Sequence, residues 1–309
     1  QAEDGRGRSM KRVWRNRQLN RPAADPPEKQ RMDDALPYSV LAPYYDQLME
    51  DVDYEAWADF LDEIIQVHHP AAEQVHEIAC GTGSMALSLE GMGCYTVSGS
   101  DKSAHMVRVA ASKAVNQNKP VRFEPQDFLS LSLDRPMDVI YCVFDSVNYL
   151  VEESDVDRLL DRVRLNLEKD GILIFDFTTP NHSLEAAGRL NGEVLKLQGS
   201  RFAVRRSWYE ESDRLHRNEF RFYDAHEEGL SRWSGRTLNR RFRRDGFSAF
   251  DPSAYSEFSP AETHVQKAYG WSEMLGIVNR SEFEVESAYE EFSLDPAGEG
   301  SNRITMVCR

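Results

Sequence analysis

A tight turn with two closely spaced glycines joins an apolar run to a helical pattern in this chain. The apolar run ends at Ala79, Gly81 and Gly83 lie in the turn, and the helical pattern begins directly after it. Asp101 follows a second apolar run, Tyr95 to Val97, and lies twenty residues beyond Gly81. In a strand–helix–strand unit the glycines let the backbone approach a ligand, and an acidic residue after the second strand accepts hydrogen bonds from ribose hydroxyls. The spacing therefore predicts a βαβ unit that binds an adenosine-containing cofactor.

The glycine pattern by itself fits two kinds of nucleotide site. The run from Gly81 to Ala86 also matches the G-x-G-x-x-G/A fingerprint of a dinucleotide site. Three further features favour a different cofactor: Glu77 on the first strand, the pair Asp127 and Phe128 after a third short strand, and the run Phe144 to Tyr149 after a fourth. Together these motifs resemble class I S-adenosylmethionine-dependent methyltransferases.

The resemblance implies a binding role for each motif. In that family the glycine loop holds the methionine part of the cofactor, the acidic residue after strand two holds the ribose, and the Asp-aromatic pair after strand three holds the adenine. The loop of the family usually reads G-x-G-x-G, and Ala79 stands at the position of its first glycine. The cofactor-binding residues that the resemblance implies are Tyr45, Trp57, Glu77, Ala79, Gly81, Gly83, Asp101, Lys102, Met106, Asp127, Phe128 and Cys142.

Several of these residues also have a simple structural interpretation. The two glycines fit an ordinary turn before a helix, and Asp101 fits a cap for a helix that begins at Ser103. Asp127 fits a turn residue, and Trp57 fits a core side chain. The motifs at Gly81, Asp101, Asp127 and Cys142 all fall where predicted strands end, which favours one shared site.

The resemblance extends to both flanks of these motifs. The run from Tyr38 to Asp46, with Asp53, Tyr54 and Trp57 after it, is similar to the helical lead-in of small-molecule methyltransferases. The run from Glu262 to Tyr269 is similar to their closing segment. Amino-sugar, glycine and sarcosine N-methyltransferases share this plan. The resemblance therefore implies methyl transfer to a small-molecule acceptor, with nitrogen as the first choice of acceptor atom and oxygen as the second.

Three residues are candidates for catalysis. Methyl transfer mainly requires that donor and acceptor are aligned, and a general base is needed only if the acceptor must first lose a proton. Asp145 is expected to act as base or amine anchor, with a loop-stabilising cap as the alternative. His264 shares a strand face with Gln266 and is expected to be a base or acceptor anchor, or else a structural histidine. Tyr45 is expected to reach the sulfonium or the carboxylate of the cofactor, or else to pack in a helix.

Strand and helix patterns alternate from residue 74 to residue 177. Such alternation predicts a parallel sheet with helices on both faces. The predicted fold is α/β, Rossmann-like and doubly wound, with a mostly parallel seven-stranded sheet and a β-rich insertion after strand five. The predicted core is 35–180 with 263–309, and 181–262 is predicted to be an inserted lid or substrate subdomain. An arginine cluster at 232–244 fits either a solvated face or a site for a substrate anion or an acidic carrier protein.

Charge and composition limit the partners. The net charge of −15 argues against general nucleic-acid binding. Residues 1–34 are predicted to be a disordered basic leader, because nine Lys or Arg stand against four Asp or Glu in the first 31 residues. We expect a cytoplasmic protein without membrane segments, and organelle import through the leader is an alternative that Glu3 and Asp4 oppose. The four cysteines have no metal-ligand spacing, so no metal is expected and free thiols are predicted.

Three other functions compete with methyl transfer. An enzyme could cyclise or cleave S-adenosylmethionine itself. A non-catalytic binding protein could use the same fold. A nicotinamide-dependent dehydrogenase is the weakest alternative, because no residue of the chain is recognised as its hydride-transfer group. The sequence identifies neither the acceptor nor the oligomeric state.

Overall fold

The computed structural model of the chain describes residues 35–224 and 255–309. The predicted leader at 1–34 and the arginine cluster at 232–244 lie outside the described residues. In chain order the strands are β1 Gln74–Ile78, β2 Thr96–Asp101, β3 Arg122–Pro125, β4 Met137–Cys142, β5 Leu167–Thr178, β6 Glu193–Lys196, β7 Arg201–Glu210, β8 Leu215–Asp224, β9 Ser256–Glu257, β10 Glu262–Lys267, β11 Val285–Glu290 and β12 Arg303–Cys308.

Helices alternate with the strands of the first half of the chain. In chain order they are α1 Tyr45–Leu48, α2 Tyr54–His68, α3 Ser84–Gly91, α4 Ala104–Asn116, α5 Glu153–Arg164, α6 Pro180–Leu190 and α7 Trp271–Asn279, with short 3-10 helices at Ala42–Tyr44, Phe128–Ser130 and Ser146–Tyr149. Within the described ranges, no helix combines the length and the apolar character needed to cross a bilayer.

The larger sheet has seven strands in the order β11-β12-β5-β4-β1-β2-β3. Strands β1 to β5 run parallel, and β12 is antiparallel to both of its neighbours. This arrangement confirms the predicted doubly wound, mostly parallel seven-stranded sheet. The carboxyl ends of β1, β2, β3 and β4 lie at one edge, where such sheets bind ligands.

Both faces of the larger sheet are covered, and β4 shows how the sequence achieves this. Side chains on a strand point alternately to opposite faces. Val139 and Tyr141 pack in the cluster formed with α2, α3 and α4, whereas Ile140 and Cys142 pack in the cluster formed with α5 and α7. A strand buried on both faces must be apolar throughout, which explains the continuous apolar runs in the sequence.

The smaller sheet follows β5 and has five antiparallel strands. Its order is β10-β8-β7-β6, and β9 also pairs with β8. Strand β10, which runs from Glu262 to Lys267, therefore belongs to this sheet, although the predicted core begins at 263. The predicted insertion also contains α6, whose first residue is Pro180. Proline suits the first turn of a helix because its missing N–H has no partner there in any case.

The lead-in before α2 connects the two sheets. Leu41 packs with Phe220 and Phe222 of the smaller sheet. Asp46 accepts hydrogen bonds from the Thr82 hydroxyl and the Lys113 ammonium, at 2.5 and 2.9 Å. The lead-in is thus attached to the smaller sheet at one end and to the turn before α3 at the other.

Candidate active site

The turn between β1 and α3 contains three residues with positive φ. Ala79, Gly81 and Gly83 have φ values of 55°, 53° and 74°. A Cβ atom added to Gly83 would lie 2.6 Å from the ring of Phe123, whereas a Cβ added to Gly81 would have no atom of residues 35–224 or 255–309 within 4 Å. The glycines therefore serve different purposes: Gly83 permits close packing of the turn, and Gly81 leaves its backbone open at the strand ends. Ala79 adopts the left-handed region at a steric cost.

Glu77 lies beneath this turn and holds the start of α3. Its Oε2 accepts the N–H of Ala86 at 3.0 Å, which satisfies one of the unpaired donors in the first turn of the helix. The hydroxyl of Tyr141 lies beside the carboxyl group. Burial raises the pKa of Glu77 to about 8, against the smaller opposing effects of the nearby Tyr141 hydroxyl and the Ala86 N–H. Glu77 thus shapes the glycine turn from below.

Asp101 connects the ends of β1 and β2. Its Oδ2 accepts the N–H of Gly81 at 2.9 Å, and its Oδ1 accepts the N–H of Ser103 at 2.7 Å. The cap of α4 is the hydroxyl of Ser103, which accepts the N–H of Met106, so Asp101 is not itself the helix cap. Burial raises the pKa of Asp101, and the two backbone donors oppose the rise. A carboxylate has about four acceptor sites, so capacity remains for ribose hydroxyls.

Asp127 and Phe128 lie at the end of β3, next to Lys102. Asp127 caps the 3-10 helix through the N–H of Leu129 at 3.0 Å and pairs with the Lys102 ammonium at 2.9 Å. Burial would raise the pKa of Asp127, but Lys102 and the Leu129 N–H together bring it below its usual value. The Lys102 side chain is 78% exposed, so it covers Asp127 from the solvent side.

Besides Glu77 and Gly83, three of the predicted cofactor residues are buried. Met106 on α4 and Cys142 at the end of β4 are almost wholly inaccessible. Trp57 packs between the rings of Phe144 and Phe292, with centroid distances of 4.5 and 4.1 Å. Trp57 therefore supports the loop after β4 from behind.

The loop after β4 places Asp145 at the edge of the sheet in a strained backbone. Phe144 and Asp145 have φ values of 63° and 52°, which are uncommon for residues other than glycine. Their N–H groups donate to the carboxylate of Asp176 on β5, at 3.1 and 2.6 Å. Asp176 is fully buried, so these two bonds fix the conformation of the loop.

Arg303 at the start of β12 joins the two carboxylates. Its guanidinium lies 2.7 Å from Oδ1 of Asp145 and 2.5 Å from Oδ2 of Asp176. Burial would lower the pKa of Arg303, but the two aspartates raise it above its usual value. The amide of Gln266 donates to the other oxygen of Asp145 at 2.6 Å. Because both oxygens of Asp145 have partners, the arrangement fits an anchor better than a free base.

His264 on β10 is the centre of a row of four polar side chains. Its Nε2 lies 2.8 Å from Oε1 of the fully buried Glu262, and its Nδ1 lies 2.7 Å from the hydroxyl of Tyr149. The hydroxyls of Tyr149 and Tyr38 are 2.6 Å apart. The structure therefore brings the predicted residue His264 to Tyr149, which ends the 3-10 helix that follows Asp145.

Tyr45 lies next to Tyr38, with the rings edge-to-face at 5.7 Å. Burial raises the pKa of Tyr45 well above its usual value, and the charges of Asp145 and Asp101 contribute to the rise. Tyr45 thus lies within electrostatic reach of the carboxylates after β2 and after β4. The three predicted catalytic residues, Asp145, His264 and Tyr45, occupy one region of the structure.

The smaller sheet presents a buried polar face beside these residues. His264 is directly opposite Asn218 on β8, which is directly opposite Ser207 on β7. The Ser207 hydroxyl contacts His216 at 2.8 Å. Burial lowers the pKa of His216 to about 4, with Arg205 adding to the effect, so its imidazole is neutral at pH 7. A buried face of this polarity is suited to a polar ligand.

Several residues of the site lie outside the motifs that the sequence predicts. The role of Asp176 could have been predicted from the sequence, because a charged residue inside the apolar run Ile172–Phe177 needs a buried partner. The role of Glu262 could also have been predicted, since it lies two residues before His264 on the same strand face. Arg303 gives no comparable local signal, because its partners come from β4 and β5.

Comparison with known proteins supports the resemblance to methyltransferases. The profile of the methyltransferase-domain family matches residues 75–171, which include the glycine turn, Asp101, Asp127 and Asp145. Residues 75–171 therefore match a methyltransferase domain. The predicted resemblance to S-adenosylmethionine-dependent methyltransferases is thereby confirmed.

Two relatives and one solved structure show how far the similarity extends. A Geobacillus protein named for methyltransferase activity is 34% identical over 142 residues, which are 46% of this chain and 57% of that protein. The dTDP-3-amino-3,6-dideoxy-alpha-D-glucopyranose N,N-dimethyltransferase of Streptomyces fradiae is 28% identical over 125 residues, 40% of this chain and 47% of that enzyme. The chain thus aligns with about half the length of these relatives.

The match to a solved structure covers nearly the whole length of that protein. An S-adenosylmethionine-dependent methyltransferase from Clostridium acetobutylicum has a TM-score of 0.66 and 22% identity, and the match covers 88% of this chain and 98% of that one. The likeness shows that the chain has the fold of this enzyme.

Proposed function

We propose that the chain binds S-adenosylmethionine at the carboxyl ends of β1, β2 and β3 and transfers its methyl group to nitrogen of a small-molecule acceptor. The observation that carries the proposal is the contact between Gly81 and Asp101. An open glycine backbone and an acidic residue with spare acceptor sites lie side by side, as an adenosine-containing cofactor requires.

The residues at the strand ends fit this cofactor. Gly81 leaves room for the methionine part, Asp101 can accept the ribose hydroxyls, and Asp127 with Phe128 offers a carboxylate and a ring for the adenine. When bound, S-adenosylmethionine supplies a methyl group that is already activated by its sulfonium centre. The protein therefore needs to align the acceptor and exclude water rather than to activate the donor.

The lead-in and the loop after β4 form the acceptor side. Asp46 ties the lead-in to Thr82 on the glycine turn, which holds Tyr45 near Asp101. Asp145 projects from the loop and is held by Arg303 and Gln266. We infer that the carboxylate of Asp145 orients a polar acceptor while Tyr45 shields the site from water.

Nitrogen is the preferred acceptor atom because the Streptomyces fradiae relative is named as an N,N-dimethyltransferase of an amino sugar. The buried polar face around His216 and Asn218 suits a polar small molecule, whichever of its atoms is methylated. The net charge of −15 would oppose binding of a nucleic acid. Among the described residues, Nε of Arg205 and Oδ1 of Asn218 are buried and have no hydrogen-bond partner, and an acceptor with hydroxyl groups could satisfy both atoms.

The test supplies S-adenosylmethionine with an isotopically labelled methyl group. The full chain is incubated with the cofactor alone and with glycine, sarcosine or a dTDP-linked amino sugar. The masses of the products are then measured by mass spectrometry. We expect the label on an acceptor nitrogen, and a smaller amount of labelled product with Asp101→Asn. Conversion of the cofactor without any acceptor would instead identify an enzyme that cyclises or cleaves it. A folded chain that does not bind the cofactor would identify a non-catalytic protein.

A further inference from the structure

Four side chains form a continuous row of hydrogen bonds from the smaller sheet to the lead-in. The row runs from Glu262 through His264 and Tyr149 to Tyr38, with successive distances of 2.8, 2.7 and 2.6 Å. We propose that this row, the Tyr38–Glu262 relay, removes a proton from the acceptor amine before methyl transfer. The inference rests on the proposed function and extends it, because it implies an acceptor that arrives as an ammonium ion.

The direction of the hydrogen bonds follows from Glu262. Its carboxylate accepts the backbone N–H groups of Tyr38, Val40 and Leu41, at 2.6, 2.9 and 3.2 Å. A carboxylate that already accepts three donors also accepts the Nε2–H of His264. His264 is then the neutral tautomer with an unprotonated Nδ1, which accepts the hydroxyl of Tyr149. Tyr149 accepts in turn from Tyr38, and the Tyr38 oxygen can accept from a further donor.

The Tyr38 end of the relay lies at the acceptor side of the site. The ring of Tyr38 contacts Tyr45 edge-to-face, and the charges of Asp145 and Asp101 both act on its hydroxyl. Gln266, two residues from His264 on the same strand face, holds Asp145. An amine anchored at Asp145 would thus meet the relay.

The charged and titratable groups around the relay come from four elements. Glu262 faces His264 from β10, and Tyr149 faces it from the 3-10 helix after β4. Tyr38 faces it from the lead-in, with 4.6 Å between the ring centroids. Arg205 on β7 and Asp145 act electrostatically on Tyr149. Phe220 on β8 packs against the imidazole of His264, with 5.4 Å between the ring centroids, and carries no charge.

In total, the relay transfers one proton from the acceptor amine to His264. An amine is mostly protonated at neutral pH, so its N–H bond must break to free the lone pair that methyl transfer requires. The proton passes to the Tyr38 oxygen, the Tyr38 proton to Tyr149, and the Tyr149 proton to Nδ1 of His264. Both tyrosines keep one proton each, and the imidazolium is stabilised by Glu262. After the product leaves, the imidazolium releases the proton to solvent.

Burial keeps both tyrosines in the form that the relay needs. It raises the pKa of Tyr38 and of Tyr149 well above the usual value. The hydroxyls therefore stay protonated and pass a proton on rather than hold a negative charge. The acceptor of the proton is His264, whose Nδ1 lies 2.7 Å from the hydroxyl of Tyr149.

The first test interrupts the relay at Tyr149. Tyr149→Phe keeps the ring and removes the hydroxyl, and Tyr44→Phe, a lead-in tyrosine bonded to Arg201 outside the relay, is the matched control. With the amine that the wild type methylates, kcat/KM at pH 7 should fall about 10²–10⁴-fold in Tyr149→Phe, the usual contribution of general base catalysis. The loss should shrink as the pH rises, because more of the amine is then already deprotonated. Affinity for S-adenosylmethionine should stay within about threefold.

A purely structural role of the row gives a different result. The loss in Tyr149→Phe would then be the same at every pH and would be accompanied by weaker cofactor binding. That pattern, or a wild-type kcat/KM and pH profile in the variant, would overturn the relay. Tyr38→Phe should behave as Tyr149→Phe does.

The second test needs no acceptor. Nitrogen NMR of the full chain with labelled histidine, assigned with His264→Gln, should show His264 as the neutral tautomer with a proton on Nε2 at pH 7.5. Tyr149→Phe should shift the Nδ1 signal. An imidazolium, or a proton on Nδ1, would overturn the relay because neither can accept a proton there. If the wild type methylates no amine, the proposed function fails, and this measurement still decides the relay.

Discussion

The N–H of Gly81 donates to Oδ2 of Asp101 over 2.9 Å, across twenty residues of sequence. The bond fixes the end of β1 against the end of β2 and sets the open backbone of the glycine turn beside a carboxylate. Asp101 also accepts the N–H of Ser103, so the same side chain orders the entry to α4. One contact thus organises both parts of the site that would hold the methionine and the ribose.

The two glycines of the turn should respond differently to alanine. Gly83→Ala should lower the free energy of unfolding by about 2–4 kcal/mol, because its Cβ would lie 2.6 Å from Phe123 and its φ is 74°. Gly81→Ala has open space around the added Cβ and should cost only about 1 kcal/mol for its positive φ. Its main effect should be weaker cofactor binding. Urea denaturation and calorimetry measure the two effects.

Gly276 on α7 is the matched control for this pair. An added Cβ there also meets no atom within 4 Å, but the residue is helical. Gly276→Ala should raise stability by about 0.5–1 kcal/mol, since alanine favours the helix. Equal stabilities of Gly83→Ala and Gly81→Ala would contradict the packing role assigned to Gly83.

Glu77 should make stability depend on pH. Burial raises its pKa from 4.5 to about 8, so between these values the folded protein holds a proton that the unfolded chain has lost. The free energy of unfolding should therefore fall as the pH rises through this window, by up to about 4 kcal/mol for this group. Glu77→Gln keeps an oxygen for the Ala86 N–H and cannot ionise. Its stability relative to wild type should rise from pH 4.5 to pH 8.

Denaturant titrations at several pH values measure this difference. The same substitution at Glu55, an exposed residue of α2, controls for the loss of one negative charge. A constant difference between Glu77→Gln and wild type across the window would show that Glu77 is ionised in the folded protein.

Arg303 and Arg280 each join two carboxylates, but at different depths. The Arg303 side chain is 15% exposed and joins Asp145 to Asp176, whereas Arg280 is 44% exposed and joins Glu153 to Asp157. Arg303→Met should cost about 3–5 kcal/mol, because it leaves the buried Asp176 without its charged partner. Arg280→Met should cost at most about 1 kcal/mol. Similar losses of melting temperature in the two variants would contradict the importance given to burial.

The sequence predicted the parts of the site that depend on local patterns. Helix α4 runs from Ala104 to Asn116 as predicted, because its cap and its apolar spacing lie within the segment itself. The alternating patterns at 201–209 and 214–223 also predict two half-exposed strands, and β7 and β8 begin and end within a residue of these bounds. The glycine turn and Asp101 follow from one βαβ unit of continuous chain.

What the sequence did not predict depends on pairing between distant segments. The contact of His264 with Tyr149 joins residues 115 positions apart, and no local pattern sets that distance. Helix α6 at Pro180–Leu190 was read as part of a β-rich insertion, since its burial against the smaller sheet involves only small residues such as Ala186 and Ala187. The place of β10 in the smaller sheet depends on its register with β8, which the intervening residues do not reveal.

Calorimetric titration of the full chain with S-adenosylmethionine tests the central claim most directly. Wild type should bind one equivalent, and Asp101→Asn should bind at least about thirty times more weakly, since losing the ribose acceptor costs about 2–4 kcal/mol. Asp134→Asn, which removes an exposed carboxylate paired with Arg122 at the start of β3, should bind as wild type does. No binding by the folded wild type, or equal affinities of wild type and a folded Asp101→Asn, would contradict the account.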